Sequence, residues 1–287
     1  MSDHPLRPKV LVVGWDGVRD DVLRAMAPPA LSSLAADGRW WSTVQPDTDV
    51  APTVTAVGWT TMLSGVWPNR HQVLSNTDEH HLAHRYADML TRAFCADPSF
   101  STYAAASALI FGTEYGPGPL LGPGVQTLTW FYRREYPGGF VATDELVIED
   151  AEVRLGAEDH DFSFVYFGEA DNAAHSDGVG PRYHAAIERQ DARLGRMISA
   201  IRGRASFSTE DWLIMVTTDH GHLDAGGHGG GSWQERQTFV VAGLLSGRSA
   251  TWAEEAHNVD LAPTAWAHLG VATSPRWPCD GHPLLTS

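Results

Sequence analysis

The sequence predicts an α/β fold in which a doubly wound, mostly parallel central sheet carries helices on both faces. Three observations indicate this class: apolar runs long enough for buried strands, helical stretches that alternate with them, and Gly or Asp residues that end the strands. The 287 residues contain no internal repeat, low-complexity tract or linker that would divide them. We therefore expect residues 1–287 to form a single domain.

The first predicted element is a buried strand over residues 9–15, whose apolar run ends at Asp16 and Gly17. Later strands are predicted from similar apolar runs, and helices from an apolar stripe or from Pro and Gly stop signals. Helices are predicted over residues 21–26, 31–36, 58–64, 181–202 and 259–269, and strands over residues 162–167, 212–217 and 239–242.

Residues 112–140 differ from the rest of the chain because they are rich in Gly and Pro and contain an aromatic and basic run at 130–134. Two interpretations remain open at this point. The segment is either a lid or substrate loop near a ligand site, or a packed surface excursion. Five side chains are candidates for the wall of a substrate pocket: Trp130, Tyr132, Arg133, Arg134 and Asn76.

Composition excludes several classes of partner. The formal net charge of −15 repels nucleic-acid phosphates, so a nucleic-acid polymer is not expected as a partner. No apolar run is long enough to span a membrane, and the run at 10–15 is too short for a signal peptide, so a cytoplasmic protein without a membrane partner is expected. Cys95 and Cys279 provide neither a disulfide framework nor a thiolate metal site.

Acidic and histidine side chains follow three of the predicted strands, and a further histidine lies in the Gly-rich stretch 226–231. These residues are Asp16, Asp171, His175, Asp219, His220 and His228. Ligands of open α/β sheets bind outside the carboxyl ends of the strands, so we expect these residues to converge. Asp and His without thiolates suit zinc or manganese. An Asp after a strand is also a common helix cap, and the metal hypothesis depends on the whole set.

Thr55 lies just before the helix predicted over residues 58–64, in a segment that begins at Pro52. The positive end of that helix would face an anion bound beside the Thr55 hydroxyl. A hydroxyl in this position, once deprotonated beside a metal, can attack phosphorus. The alternative is that Thr55 only caps the helix.

Together these motifs resemble the alkaline-phosphatase superfamily, and most closely its type I phosphodiesterase/nucleotide pyrophosphatase branch. The resemblance extends over residues 9–285 and includes Asp-Gly at 16–17, Pro-Thr-x-Thr at 52–55, Asp-x-x-x-His at 171–175, Thr-Asp-His-Gly at 218–221 and Asp-Gly-x-Pro-Leu at 280–284. It implies an alkaline-phosphatase-like fold and a hydrolase of phosphate esters or phosphoanhydrides that forms a covalent phospho-threonine on Thr55. The expected substrate is a small phosphorylated molecule, and the oligomeric state stays open.

The resemblance also implies a ligand set for two divalent cations, with Zn²⁺ expected and Mn²⁺ as the alternative. The residues of one site would be Asp16, Thr55, Asp219 and His220, and those of the other Asp171, His175 and a third histidine. His228 is preferred as that histidine because the surrounding glycines permit a close approach. His282 is the alternative, since relatives in this branch take a histidine from near the C-terminus. His222 is expected to be exposed and is a weaker candidate.

Two departures from the family pattern affect the expected chemistry. Relatives usually carry an Asn three residues after the nucleophile, where this chain has Gly58. We therefore expect Ala56 and Gly58 to line the phosphoryl site, with the Ala56 N–H or a donor from another part of the chain replacing the Asn. Thr55 disfavours a sulfatase, because sulfatases of this superfamily need a modified Cys or Ser there. Alternatives are a phosphomonoesterase or phosphonate hydrolase on the same scaffold, and a non-catalytic metal- or phosphate-binding protein.

Overall fold

A computed structural model of the chain describes residues 6–272, 274 and 276–286. Its main sheet has seven strands: β1 Arg7–Trp15, β2 Gly38–Val44, β3 Thr102–Ala106, β4 Thr127–Trp130, β5 Phe162–Phe167, β6 Glu210–Thr217 and β7 Gln237–Leu244. A separate antiparallel pair consists of β8 Thr251–Trp252 and β9 Leu285–Thr286.

The order of the strands across the sheet is β2-β7-β6-β1-β5-β3-β4. Strands β6, β1, β5, β3 and β4 are parallel to one another, and β7 runs antiparallel to both β2 and β6. The N-terminal strand β1 thus lies near the middle of the sheet, between β5 and β6. The predicted fold class, a mostly parallel α/β sheet with helices on both faces, is confirmed.

Ten α-helices are present among the described residues: α1 Asp20–Met26, α2 Pro29–Ala36, α3 Thr55–Ser64, α4 Pro68–His71, α5 Met89–Ala96, α6 Phe140–Ala157, α7 Glu169–Asp177, α8 Pro181–Arg202, α9 Trp233–Arg236 and α10 Leu261–Leu269. They cover both faces of the sheet and create two apolar cores. Val10 and Val12 of β1 contribute to the core beneath α3, α5 and α10, whereas Leu11, Val13 and Trp15 contribute to the core beneath α2, α6 and α8. Successive residues of a strand point to opposite faces, so a strand covered on both sides is apolar throughout.

Helix α6 was not predicted, although it is 18 residues long. Its buried face consists of Thr143, Val147, Ala151 and Leu155, which recur every four residues, together with Asp144 and Ile148. Only part of that stripe is strongly apolar, and charged residues fill the positions between, so the helical signal is weak. No helix within the described part of the chain has the length and apolar character that a membrane span requires.

Candidate metal centre

The candidate site lies where three neighbouring parallel strands end. Asp16 follows β1, α7 with Asp171 and His175 follows β5, and Asp219 with His220 follows β6. In the sheet, Trp15 pairs with Phe167 and Gly14 pairs with Thr217, so the three strands end at the same level. The sheet therefore brings together residues that are as many as 204 positions apart.

The first cluster consists of Asp16, Asp219 and His220, and all three side chains are buried. The Nε2 atom of His220 is 3.2 Å from Oδ2 of Asp219 and 3.7 Å from Oδ1 of Asp16. The Thr55 hydroxyl oxygen lies 3.4 Å from the same Nε2 atom. The four residues that were predicted for one metal site thus converge on one point.

Two carboxylate oxygens of this cluster are buried without a hydrogen-bond partner among the described residues, namely Oδ1 of Asp16 and Oδ2 of Asp219. The opposite oxygens are occupied: Oδ2 of Asp16 accepts from Trp59 and Tyr166, and Oδ1 of Asp219 accepts from the Gly17 N–H. A buried carboxylate oxygen without a partner is costly unless a cation or a proton is bound to it. The donor set therefore fits a divalent cation.

Burial also shifts the proton affinities of the first cluster. Desolvation raises the pKa of Asp16 and Asp219 well above the ordinary carboxyl value, and the neighbouring carboxylates add to the shift. Desolvation, together with the nearby His228 and His222, lowers the pKa of His220 well below its ordinary value. His220 is therefore neutral, as a metal ligand has to be.

Backbone carbonyl groups orient two of the histidines. Nδ1 of His220 lies 3.1 Å from the Gly221 carbonyl oxygen, and Nδ1 of His228 lies 2.8 Å from the Thr53 carbonyl oxygen. A carbonyl oxygen only accepts, so each Nδ1 carries the proton and each Nε2 presents its lone pair to the cluster. This arrangement is typical of imidazoles that ligate a metal.

The second cluster consists of Asp171, His175, His222 and His228, whose ligand atoms all lie within 4.8 Å of one another. Asp171 and His175 are one turn apart on α7, so they face the same side of that helix. The prediction for His222 was wrong: its side chain is completely buried, and its Nε2 atom lies 2.9 Å from Oδ1 of Asp171. Its spacing from His220 suggested an exposed loop, whereas the loop folds back against α7 and the turn that follows β1.

The loop that carries His228 is held by Thr53. The Thr53 hydroxyl donates to the Gly230 carbonyl over 2.8 Å and accepts from the Gly229 N–H over 3.0 Å. Gly229 has a φ of +111°, which a side chain would disfavour. The Pro-Thr-x-Thr segment thus positions a histidine of the second cluster in addition to presenting Thr55.

His282 does not join either cluster. Asp280, two residues before it, accepts a hydrogen bond from the Trp67 backbone N–H, and its own backbone N–H donates to the Gly65 carbonyl. Gly65 directly follows the C-terminal end of α3. Thr55 is the first residue of that ten-residue helix, which is about 15 Å long. His282 therefore lies at the opposite end of α3 from the clusters, and its backbone N–H bonds to Asp260.

A cavity of about 410 Å³ opens onto both clusters. Thr55 lines it and does not cap α3, because Val54 occupies the N-cap position and no side chain caps the helix. Segment 112–140 supplies Tyr115, Tyr132, Arg133 and Arg134 to the cavity wall. Trp130 is not part of that wall; it lies on β4 and is 42% exposed.

The expectation that Ala56 and Gly58 line this cavity was wrong, since both are buried in α3. The Ala56 N–H donates to Oδ1 of Asn76 over 2.8 Å, and the Gly58 N–H bonds to Val54. A Cβ atom at Gly58 would lie 2.6 Å from Cβ of Asp219, so only glycine fits there. Asn76 lines the same cavity as Thr55 and comes from another part of the chain.

Comparisons with known proteins agree with this geometry. Residues 10–235 match the type I phosphodiesterase/nucleotide pyrophosphatase family. No curated protein sequence matches the chain. Human ectonucleotide pyrophosphatase/phosphodiesterase 5 has a similar fold, with a TM-score of 0.66 at 15% identity over 97% of this chain and 100% of that chain.

Two further solved structures are similar in fold. An inactive variant of the murine ectonucleotide pyrophosphatase/phosphodiesterase 5, in complex with AMP, has a TM-score of 0.65 at 14% identity over 98% of this chain and 100% of that chain. A putative sulfatase from Bacteroides thetaiotaomicron has a TM-score of 0.68 at 12% identity over 96% of this chain and 73% of that chain. The family match covers most of the chain, so the protein belongs to the type I phosphodiesterase/nucleotide pyrophosphatase family of the alkaline-phosphatase superfamily.

Proposed function

We propose that this protein hydrolyses small phosphodiesters or phosphoanhydrides, that Thr55 is the nucleophile, and that two divalent cations assist. The observation that carries the proposal is the position of the Thr55 hydroxyl. It lies 3.4 Å from Nε2 of His220, which is itself 3.2 Å from the unpaired Oδ2 of Asp219, and Thr55 lines the cavity. A hydroxyl at this point can contact both the cation of the first cluster and a bound phosphoryl group.

The residues of both clusters fit divalent cations. Asp16, Asp219, His220 and Thr55 would hold one ion, and the second cluster would hold the other. When bound, the cations supply Lewis-acid stabilisation of the phosphoryl oxygens and favour the ionised form of the Thr55 hydroxyl. Family membership supports divalent cations in general, and zinc is the ion that we propose.

In the first half of the reaction, the Thr55 oxygen attacks phosphorus while the bond to the leaving-group oxygen breaks. That oxygen takes the electron pair of the broken bond and leaves as an alcohol or a phosphate after protonation. In the second half, a water molecule cleaves the bond between phosphorus and the Thr55 oxygen, which releases the phosphorylated product and restores the hydroxyl.

Asn76 is placed to contact the phosphoryl group. Its Oδ1 atom is held by the Ala56 N–H, and its side chain lines the cavity next to Thr55. The side-chain NH₂ group is therefore available as a donor to a non-bridging phosphoryl oxygen. A donor that is fixed before the substrate binds stabilises the charge that develops in the transition state.

The cavity favours an esterified phosphate over a bare phosphate. It extends from Thr55 to Tyr115, Arg133 and Phe140, which gives room for an organic substituent on phosphorus. The murine relative binds AMP, a nucleoside phosphate. We therefore propose that nucleotides and nucleotide anhydrides are the first natural substrates to assay.

A substrate panel on the zinc-loaded protein tests the proposal. We expect bis-p-nitrophenyl phosphate and nucleotide anhydrides to react faster than p-nitrophenyl phosphate, phosphonoacetate or p-nitrophenyl sulfate. Acid quenching during turnover, followed by mass spectrometry, should find phosphate on the peptide that contains Thr55. Faster turnover of the monoester or of phosphonoacetate would favour those alternatives, and no turnover of any phosphoryl substrate would favour a binding protein.

A further inference from the structure

We infer that His222 is a fourth protein ligand of the second site, bound through Nε2. Together with Asp171, His175 and His228 it provides three imidazoles and one carboxylate. This donor set makes the second site selective for zinc over manganese. The inference rests on the proposed function, because it requires a cation in the second cluster.

Four of the distances between the ligand atoms are close to those of a tetrahedral site, and all the ligand atoms lie within 4.8 Å of one another. Oδ1 of Asp171 lies 2.9 Å from Nε2 of His222, 3.4 Å from Nε2 of His175 and 3.5 Å from Nε2 of His228. The Nε2 atoms of His175 and His228 are 3.0 Å apart. Four ligands about 2.0–2.1 Å from a tetrahedral zinc ion are separated from one another by roughly 3.3 Å. The observed values lie on both sides of that separation.

The three imidazole rings surround a common point. Their centroids are 4.8 Å apart for His175 and His228, 5.0 Å for His222 and His228, and 5.1 Å for His175 and His222. His222 is therefore positioned in the same way as the two histidines that were predicted as ligands.

The burial of His222 also points to a ligand. The side chain is fully buried, and its Nδ1 atom has no hydrogen-bond partner in the described part of the protein. The polar contact that remains to the ring is made by Nε2, which faces the cluster. Burial excludes water from the ring, so Nε2 can interact only with the groups of the cluster, Asp171 among them, or with a cation held there.

Gly17 creates the space that His222 needs. A Cβ atom on Gly17 would lie 2.7 Å from Nε2 of His222 and 2.9 Å from Cβ of Asp171. Gly17 also has a φ of +68°, which favours glycine. The turn after β1 thus permits the close approach of His222 to Asp171.

The two clusters present different donor atoms. Two carboxylates, one hydroxyl and one imidazole face the first site, whereas three imidazoles and one carboxylate face the second. Imidazole-rich sites suit zinc, and oxygen-rich sites also accept harder ions such as manganese and magnesium. We therefore expect zinc to be retained at the second site when manganese is in excess.

Metal binding without substrate tests this inference. Zinc and manganese would each be titrated into metal-free full-length protein in competition with a chromophoric chelator. The variants are His222→Gln, His222→Ala and, as a matched control, His282→Gln, which changes a histidine outside both clusters. Circular dichroism would report folding, and the visible spectrum of cobalt(II)-loaded protein would report a change in ligand number.

The glutamine variant separates a ligand from a positioning residue, because its amide still donates to Asp171. For a ligand, we expect both His222 variants to lose about 100-fold or more in zinc affinity at one site, with a smaller loss for manganese and an altered cobalt spectrum. The control should bind zinc as the unmodified protein does.

Three results would overturn the inference. Normal zinc affinity in His222→Gln would show that His222 only donates a hydrogen bond to Asp171. Equal losses for zinc and manganese would indicate a general distortion. If the unmodified protein bound no zinc, the two-cation proposal would be wrong as well. A different result would affect the role of His222 alone: the unmodified protein binds zinc and turns over substrate, and His222→Gln behaves identically.

Discussion

The Thr55 hydroxyl is the smallest feature on which the proposed chemistry depends. We expect Thr55→Ala to lower kcat by about 10³-fold or more, because no other hydroxyl takes its place, while zinc binding at the second cluster stays normal. Thr55→Ser should retain part of the activity. The measurement is steady-state hydrolysis of bis-p-nitrophenyl phosphate, together with the bound-metal content.

Thr60→Ala is the matched control for Thr55. It lies on the same helix, and its hydroxyl donates to the Ala56 carbonyl and does not reach the active-site cavity. Its activity should remain close to that of the unmodified protein. Near-normal kcat in Thr55→Ala would show that Thr55 is not the nucleophile.

His71 is a buried imidazole outside both clusters, and it makes stability depend on pH. Nδ1 accepts from the Val73 N–H, so Nε2 carries the proton and donates to Thr61. Burial, with a contribution from His81, lowers the pKa of His71 to about 3. Protonation would break the bond from Val73 and place a charge in the core.

The sign of the effect follows from linkage. Between pH 6.5 and about 3 the unfolded chain binds a proton at His71 that the folded protein does not bind. Neutral, buried His71 therefore contributes fully to the free energy of unfolding above pH 6.5. This contribution decreases as the pH falls, by up to about 1.4 kcal/mol per pH unit for one site. Urea denaturation at several pH values should show a smaller slope for His71→Gln, whereas an identical slope would show that His71 does not cause it.

At the scale of secondary structure, the N-terminus of α7 determines where Asp171 and His175 lie. Buried Asp144 of α6 accepts the N–H groups of Gly168 and Glu169 over 3.2 and 2.9 Å. Arg193 of α8 bonds to Glu169 over 2.8 Å and lies 3.6 Å from Asp144. These buried charges attach α7 to two neighbouring helices.

We expect Asp144→Ala to destabilise the protein by about 3 kcal/mol, because the buried Glu169 N–H loses its acceptor and Arg193 loses one of its two buried carboxylate neighbours. Zinc affinity should also fall, since Asp171 and His175 would be less well positioned. Asp177→Ala, at the end of α7, removes an exposed ion pair with Arg182 of α8, and it should change stability by less than about 1 kcal/mol. Urea denaturation and zinc titration of both variants would check this, and equal effects would contradict it.

The positions of the site residues relative to strands, helices and loops explain which of these residues the sequence could predict. Asp16, Asp171 and Asp219 follow buried strands, and parallel strands end at one edge, so pattern alone was sufficient to bring them together. Asn76 lies in a loop 21 residues beyond Thr55, and no periodicity connects the two. The burial of His222 depends on the shape of Gly17, which is a property of the folded turn.

The strands also differ in how well the sequence predicts them. Strands β1, β5 and β6 are continuous apolar runs and were predicted within a few residues. Strand β3 consists largely of alanine, and β2 lies at the sheet edge with an alternating pattern of burial, so neither has a strong signal. Their place in the sheet comes from tertiary packing.

At the scale of the whole molecule, the two clusters concentrate buried negative charge. Asp16, Asp171 and Asp219 all lie near one point, and desolvation with mutual repulsion raises the pKa of Asp16 and Asp219. Bound cations would remove that repulsion. Zinc at about a thousand times its Kd adds about 4 kcal/mol to the free energy of unfolding for one site.

Metal removal should therefore lower Tm by several degrees, and differential scanning calorimetry with and without a chelator would measure this. In His228→Ala the chelator should have a smaller effect, because one site has lost a ligand. His282→Ala should respond as the unmodified protein does. An unchanged Tm after complete metal removal would contradict the assignment of both clusters.

The central position of β1 has a consequence for biosynthesis. This strand ends at Trp15, but its partner β5 ends at Phe167 and its partner β6 at Thr217. At about 5–20 residues per second, a ribosome needs roughly 10–40 s to add the 200 or so intervening residues. During that interval an apolar segment is outside the ribosome without at least one of its two neighbours in the sheet. A chaperone that binds extended apolar peptides would therefore have its longest opportunity at residues 9–15, and neither metal site could be complete before the residues that follow β6 have emerged.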